Sequence, residues 1–214
     1  MKKTIISSLI IALTLISINS LSQSNDDYAE RATFGIKGGI NSSNVYDEQG
    51  EDFVADPKLG FVAGGFIGIP LGRFLGIQPE VLYSQKGYQS TGTFLLQDYS
   101  YTRTTNHLDI LIQLQIKPIS AITIVAGPQF SYLLSTKSEL KINDNTTGAS
   151  EEDFNNDNPR KNMLGVVGGV DVNIGMLVIG GRVGWDFQDN KGDGTSASPR
   201  YKNQWAQFTA GIRF

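Results

Sequence analysis

The sequence contains no cysteine, which excludes a disulfide framework, thiolate chemistry and a lipoprotein anchor. It has one histidine, and only 18% of its 214 residues are charged. Past the N-terminal stretch it lacks any apolar run near the roughly twenty residues a membrane helix needs. That stretch reads as a secretory signal. Lys2 and Lys3 are its basic region, Ile5 to Ile18 its apolar region, and Ser20-Leu21-Ser22 offers the small residues a signal peptidase requires. Cleavage is expected before Gln23, because the apolar run is too short and polar-dotted for a membrane anchor. Without Lys2 and Lys3 the 18 Lys+Arg become 16 against 21 Asp+Glu, a formal charge of −5. An acidic balance disfavours nucleic acid as a partner. A chain with no membrane helix can span a bilayer only as a closed barrel, since closure alone pairs every backbone group in lipid.

What the sequence does contain is alternation, along with 24 glycines. Eight segments place apolar residues at every second position, the period of a strand. They are Thr33 to Asn41, Gly60 to Pro70, Leu75 to Gln85, Asn106 to Ile116, Ile122 to Leu134, Leu164 to Asn173, Leu177 to Phe187 and Gln204 to Phe214. The fourth is the cleanest: Leu108, Ile110, Ile112, Leu114 and Ile116 oppose His107, Asp109, Leu111, Gln113 and Gln115. The glycine-rich second segment is ambiguous, and Phe61, Ala63, Ile67 and Ile69 are taken as its outward side. About eleven residues is the length of a tilted membrane strand.

The connections alternate in length. Roughly 15 to 28 residues follow the odd segments and about 3 to 5 the even ones, the asymmetry of long external loops and short periplasmic turns. The long loops are expected over Ser42 to Lys58, Lys86 to Thr105, Ser135 to Asn162 and Gln188 to Asn203. With the odd strands running outward, Tyr83, Phe130, Tyr132, Trp185 and Phe187 form an external aromatic girdle, and Phe34, Phe74 and Phe214 an inner one. The expected architecture is all-β: an eight-stranded antiparallel up-and-down transmembrane barrel over 33–214, after a signal peptide at 1–22 and a periplasmic lead-in at 23–32. Alternation survives inversion, so a secreted lipocalin-like barrel with its apolar side inward is the alternative. The two-length loop rule, the girdles and the absence of Gly-x-Trp near the first strand oppose it.

Three segments carry a family likeness. Gly35-Ile36-Lys37-Gly38-Gly39-Ile40-Asn41, Pro79-Glu80-Val81-Leu82-Tyr83-Ser84-Gln85-Lys86-Gly87 and Ala126-Gly127-Pro128-Gln129-Phe130-Ser131-Tyr132-Leu133-Leu134 resemble the PorT-like outer-membrane β-barrel family. Leu108-Asp109-Ile110-Leu111-Ile112 departs from that family, whose fourth strand often has a proline. The resemblance implies an outer-membrane location and no particular activity. The terminal Phe214 likewise resembles the signal that outer-membrane assembly machinery reads on such strands.

Candidate chemistry is sparse. Lys37, Glu80, Asp109, Asp171, Arg182, Asp186 and Arg213 face the interior, which eight strands leave just wide enough to be filled by side chains. Buried charges must pair, so a plugging network is expected, with Glu80 against Arg182 or Arg213. The alternative is a polar path for small hydrophilic solutes. His107 and Asp109, with Ser84 near them, invite comparison with membrane acyltransferases. Two strand positions are about 7 Å apart, however, too far for a direct base–orienter bond. Asp189-Asn190-Lys191-Gly192-Asp193-Gly194 fails as a calcium loop, with Lys191 and Arg200 where ligands are required. No cofactor, metal site or catalytic residue is expected. Outer-membrane lipid, the assembly machinery and an unidentified protein partner are the expected contacts. Lipopolysaccharide joins them; the acidic cluster Glu151, Glu152, Asp153 and Asp157 reads either as a site for cations bridging to it or as a solvated loop.

Overall fold

The computed structural model describes residues 31–46, 55–94, 97–142, 145–153, 162–189 and 201–214. Its strands are β1 (Thr33–Tyr46), β2 (Asp56–Pro70), β3 (Leu75–Phe94), β4 (Gln97–Ile119), β5 (Ile122–Ile142), β6 (Asn145–Asp153), β7 (Asn162–Ile174), β8 (Leu177–Asp186) and β9 (Lys202–Arg213). Eight of them close a ring in the order β1-β2-β3-β4-β5-β7-β8-β9, every pairing antiparallel. The ninth, β6, pairs with the outer half of β5 and lies outside the ring.

Five strands run well past their apolar pattern, and the first expected loop is shortened because β1 continues to Tyr46 and β2 begins at Asp56. Lys86 to Thr105, expected as a loop, is the continued β3–β4 hairpin, paired as far as Phe94 with Gln97. The fifth strand continues past Leu134 to Ile142, and the expected loop from Ser135 holds β6. The physical reason is that strand pairing needs backbone partners rather than lipid. Beyond the bilayer the outward face meets water instead of lipid, so the outward apolar series stops while the ladder carries on.

Backbone register fixes the stagger. From Gly35 the partners run Phe66, Glu80, Leu111, Gln129, Gly165 and Asp186. One residue beyond the Trp185–Gln204 pair, Asp186 comes level with Asn203, whose partner is Val45. One circuit therefore climbs from 35 to 45, a stagger of ten residues. Strand number and stagger together tilt the strands and set a bore that side chains can fill.

The large apolar side chains face outward and the polar ones inward, which disposes of the inverted lipocalin arrangement. Ile110, Ile112, Leu114 and Ile116 of β4 are all exposed, while His107, Asp109, Gln113 and Gln115 are buried. On β2, Phe61, Ala63 and Ile69 face outward and Ile67 is half-covered, opposite Val62 and Phe66. Phe34, Phe74 and Phe214 lie exposed at the short-turn end, with Phe34 and Phe214 stacked at 5.2 Å. Phe130, Trp185 and Phe187 are exposed toward the other end, with Tyr83 and Tyr132 half-exposed. Phe61, which stacks on Tyr83 at 5.4 Å, is a further member of that girdle.

Close approach of neighbouring strands requires several glycines. A Cβ at Gly64 would overlap the Val81 carbonyl oxygen and lie 2.8 Å from Leu82 Cα, whereas one at Gly181 would meet nothing. Gly64→Val should cost about 1–3 kcal/mol through overpacking, read as a lowered urea midpoint for the barrel in lipid vesicles. Gly181→Ala should change it by no more than about 0.5 kcal/mol.

Candidate functional site

The lumen is built in layers, and single strands spell them out. The inward positions of β3, from the short-turn end, are Gln78, Glu80, Leu82, Ser84, Lys86 and Tyr88. On β4, running the other way, Gln113, Leu111, Asp109, His107 and Thr105 are the register partners of Gln78, Glu80, Leu82, Ser84 and Lys86, and Gln115 lies one inward position nearer the turn.

The inner layer is ionic. Lys37 Nζ donates to Glu80 Oε2 at 2.6 Å, and Gln78 Nε2 to Glu80 Oε1 at 2.5 Å. Gln115 Nε2 in turn donates to Gln78. Arg182 meets Asp171 fork to fork, with both Nη–Oδ distances 2.7 Å, and its Nη2 stands 3.7 Å from Glu80 Oε1. Two cations and two anions from β1, β3, β7 and β8 thus neutralise one another. Bidentate geometry suits a guanidinium better than an ammonium.

Above it lies an apolar layer. Val62, Leu82, Leu111 and Val167 are each 1% exposed and pack with Trp205 into one cluster. Two strand positions further out, polar groups return. Lys86 Nζ lies 3.0 Å from Asp109 Oδ2 and 3.3 Å from Ser131 Oγ, and 5.4 Å from the centre of the Trp205 ring. Asp186 accepts from Asn203 Nδ2 at 3.0 Å, and Asn41 Nδ2 donates to Ser84 Oγ at 2.8 Å.

At the outer end Tyr88, Tyr201 and Val45 close over this layer, with Tyr88 and Tyr201 edge-on at 5.2 Å. Burial, followed by the neighbouring Tyr201 and Tyr101, pushes the Tyr88 hydroxyl far above the ordinary phenol range. The Tyr88 phenol therefore stays protonated at physiological pH, beside the Arg103 guanidinium.

Six of the seven expected interior charges sit in these two layers. Arg213 does not. It stands at the inner mouth, where Nη1 donates to Asn173 Oδ1 at 3.1 Å and Nη2 to the Gly175 carbonyl at 3.2 Å. An Arg213–Glu80 pair would require it to reach past the Gln78–Gln115 level, and Lys37 already occupies Glu80. Asp109 takes Lys86, which the sequence reading placed in a loop. The missed signal was the unbroken even-numbered series on β3 beyond Gln85.

His107 is fully buried, and neither ring nitrogen has a partner within the protein. Ser84 is its direct register neighbour and Asp109 shares its face, but neither bonds to it. The arrangement supplies no base–orienter pair. Gln113 also has both side-chain polar atoms unpartnered. Among the described residues no three His, Asp or Glu side chains converge as metal ligands. The signal region, Asp157 and the loop from Asn190 to Arg200 lie outside the described residues, as do the side chains of Glu151, Glu152 and Asp153.

A closed ring of eight strands, apolar outside and ionic inside, with short turns at one end and long hairpins at the other, defines an outer-membrane β-barrel protein. It resides in the cell outer membrane. The chain belongs to the outer membrane protein beta-barrel domain family, whose model matches residues 21–192. No curated protein matches it. Among solved structures it is similar to Ail, the attachment invasion locus protein of Yersinia pestis. The two are 13% identical over 86% of this chain and 99% of that one, with a TM-score of 0.47. Neisserial surface protein A is 14% identical over 86% and 98%, TM-score 0.44. OprG of Pseudomonas aeruginosa is 12% identical over 86% and 97%, also at 0.44.

Proposed function

We propose that the protein is a structural or interaction module of the outer membrane, with a sealed lumen and its outer hairpins as the working surface. The observation that carries this reading is the apolar layer of Val62, Leu82, Leu111 and Val167 between two ionic layers. A dry constriction in a narrow bore resists water and ions, because each would shed its hydration to pass. The extended β3–β4 hairpin and the β5–β6 pair carry strand structure well past the lipid-facing belt. They supply a rigid platform for a protein partner, with outer-leaflet lipopolysaccharide around it. The three PorT-like segments support placing the chain in that branch of the family, and β9 with its terminal Phe214 supports recognition by the assembly machinery.

A narrow channel for small hydrophilic solutes is the second reading, favoured by the unpartnered polar atoms of His107 and Gln113 in the lumen. Conductance across a planar bilayer separates the two. The sealed module should show no steps, and Leu82→Ser with Leu111→Ser should introduce them by wetting the apolar layer. Steady single-channel steps from the unaltered protein would overturn the reading.

A further inference from the structure

The inner mouth carries positive charge that no acidic side chain among the described residues pairs with. Lys117 on β4 follows Gln115 on the inward side, and Arg213 on β9 follows Gly211. Ring order sets β4 and β9 four places apart in either direction, so the two residues stand on opposite walls of the opening. Burial first and the Arg213 charge second hold the Lys117 ammonium below its ordinary pKa.

Neither cation has an acidic partner among the described residues. Glu80 is taken by Lys37 and Gln78, and Asp171 by Arg182. The turns at this end, Leu71 to Phe74, Ser120-Ala121 and Gly175-Met176, add Arg73 and no acidic side chain. Arg213 is nonetheless held in place, by Asn173 Oδ1 and by the Gly175 carbonyl. Gly175 has φ +59°, a conformation glycine adopts at no steric cost. Those two bonds leave three guanidinium N–H donors, and the Lys117 ammonium offers three more.

We propose that this mouth is a phosphate-binding vestibule, in which Lys117 and Arg213 hold one anion from opposite walls. Two like charges set across a partly enclosed opening repel, and a tetrahedral dianion between them removes that cost while accepting from both. The phosphate is either free in the periplasm or the headgroup of an inner-leaflet phospholipid, whose plane lies at this rim.

The test is a titration of isotopically labelled protein, folded in octyl glucoside, with sodium phosphate against sodium chloride at matched ionic strength. Saturating shifts of the Arg213 side-chain N–H and of the Asn173 and Gly175 amides are expected. Lys117→Gln with Arg213→Gln should weaken the response by about tenfold or more, while Lys117→Arg should retain it. Heat-modifiable gel mobility shows that each variant is folded. Non-saturating shifts in the original protein, or the same saturation in the double variant, would overturn the proposal. Nanodiscs identify the source. Loss of the free-phosphate response in phosphatidylglycerol but not in phosphatidylcholine indicates a lipid headgroup, and a response in both indicates free phosphate.

Discussion

Replacing Arg182 by methionine is expected to destabilise the barrel by about 3–5 kcal/mol, the cost of leaving a buried charge without its partner. Arg182 holds Asp171 through two bonds of 2.7 Å and also stands beside Glu80, all three being buried. The stranded carboxylate, more than the lost attraction, is what makes the change severe. Converting the pair together, Asp171→Leu with Arg182→Met, should therefore recover most of the loss, since a well-packed apolar pair is often as stable as a buried ion pair. Urea unfolding in lipid vesicles measures both. If the double variant were as unstable as the sum of two single losses, the pair would be holding the barrel through its charges. The layered interior would then be an electrostatic scaffold rather than a packed plug.

Deleting Phe214 is the second large effect. Its N–H donates to the Phe34 carbonyl at 2.7 Å, its own carbonyl accepts from Phe34 N at 3.2 Å, and the two rings stack. These contacts close the inner end of the β1–β9 seam, where the last strand meets the first. Two backbone bonds at about 1 kcal/mol each and one aromatic pair at about 1 kcal/mol give a loss of roughly 3 kcal/mol in the folded barrel. A reading in which Phe214 served assembly alone would predict almost none.

The assembly role is tested separately by comparing outer-membrane levels in cells. Phe34→Ala removes the same ring stack but leaves the final residue intact. The Phe214 deletion should reach the membrane at a much lower level than Phe34→Ala. Equal levels would sink the assembly-signal reading and leave Phe214 as a seam residue only.

Much of this molecule is written in its alternation. A strand exposed to lipid on one side and packed into a narrow bore on the other must place apolar and polar side chains alternately. The sequence of β4 from Leu108 to Ile116 therefore determines its facing without any partner. Eight such segments, with short and long connections in turn, determine the closed barrel and which end faces out. The same rule weakens beyond the lipid. Past Gln85 the outward face of the β3–β4 hairpin loses its apolar residues, and only the inward series that continues through Lys86 and Tyr88 marks a ladder there rather than a loop.

What only the tertiary structure decided is who meets whom inside. The charges Lys37, Glu80, Asp171 and Arg182 are all legible as inward-facing, yet their pairing depends on the stagger between strands. A circuit that climbs ten residues brings β1, β3, β7 and β8 to one level, and it leaves Arg213 below them at the mouth. The apolar layer has the same origin. Leu82 and Leu111 stand between polar inward neighbours, and Val62 and Val167 between glycines. No local pattern marks them as a set, because only register places them side by side.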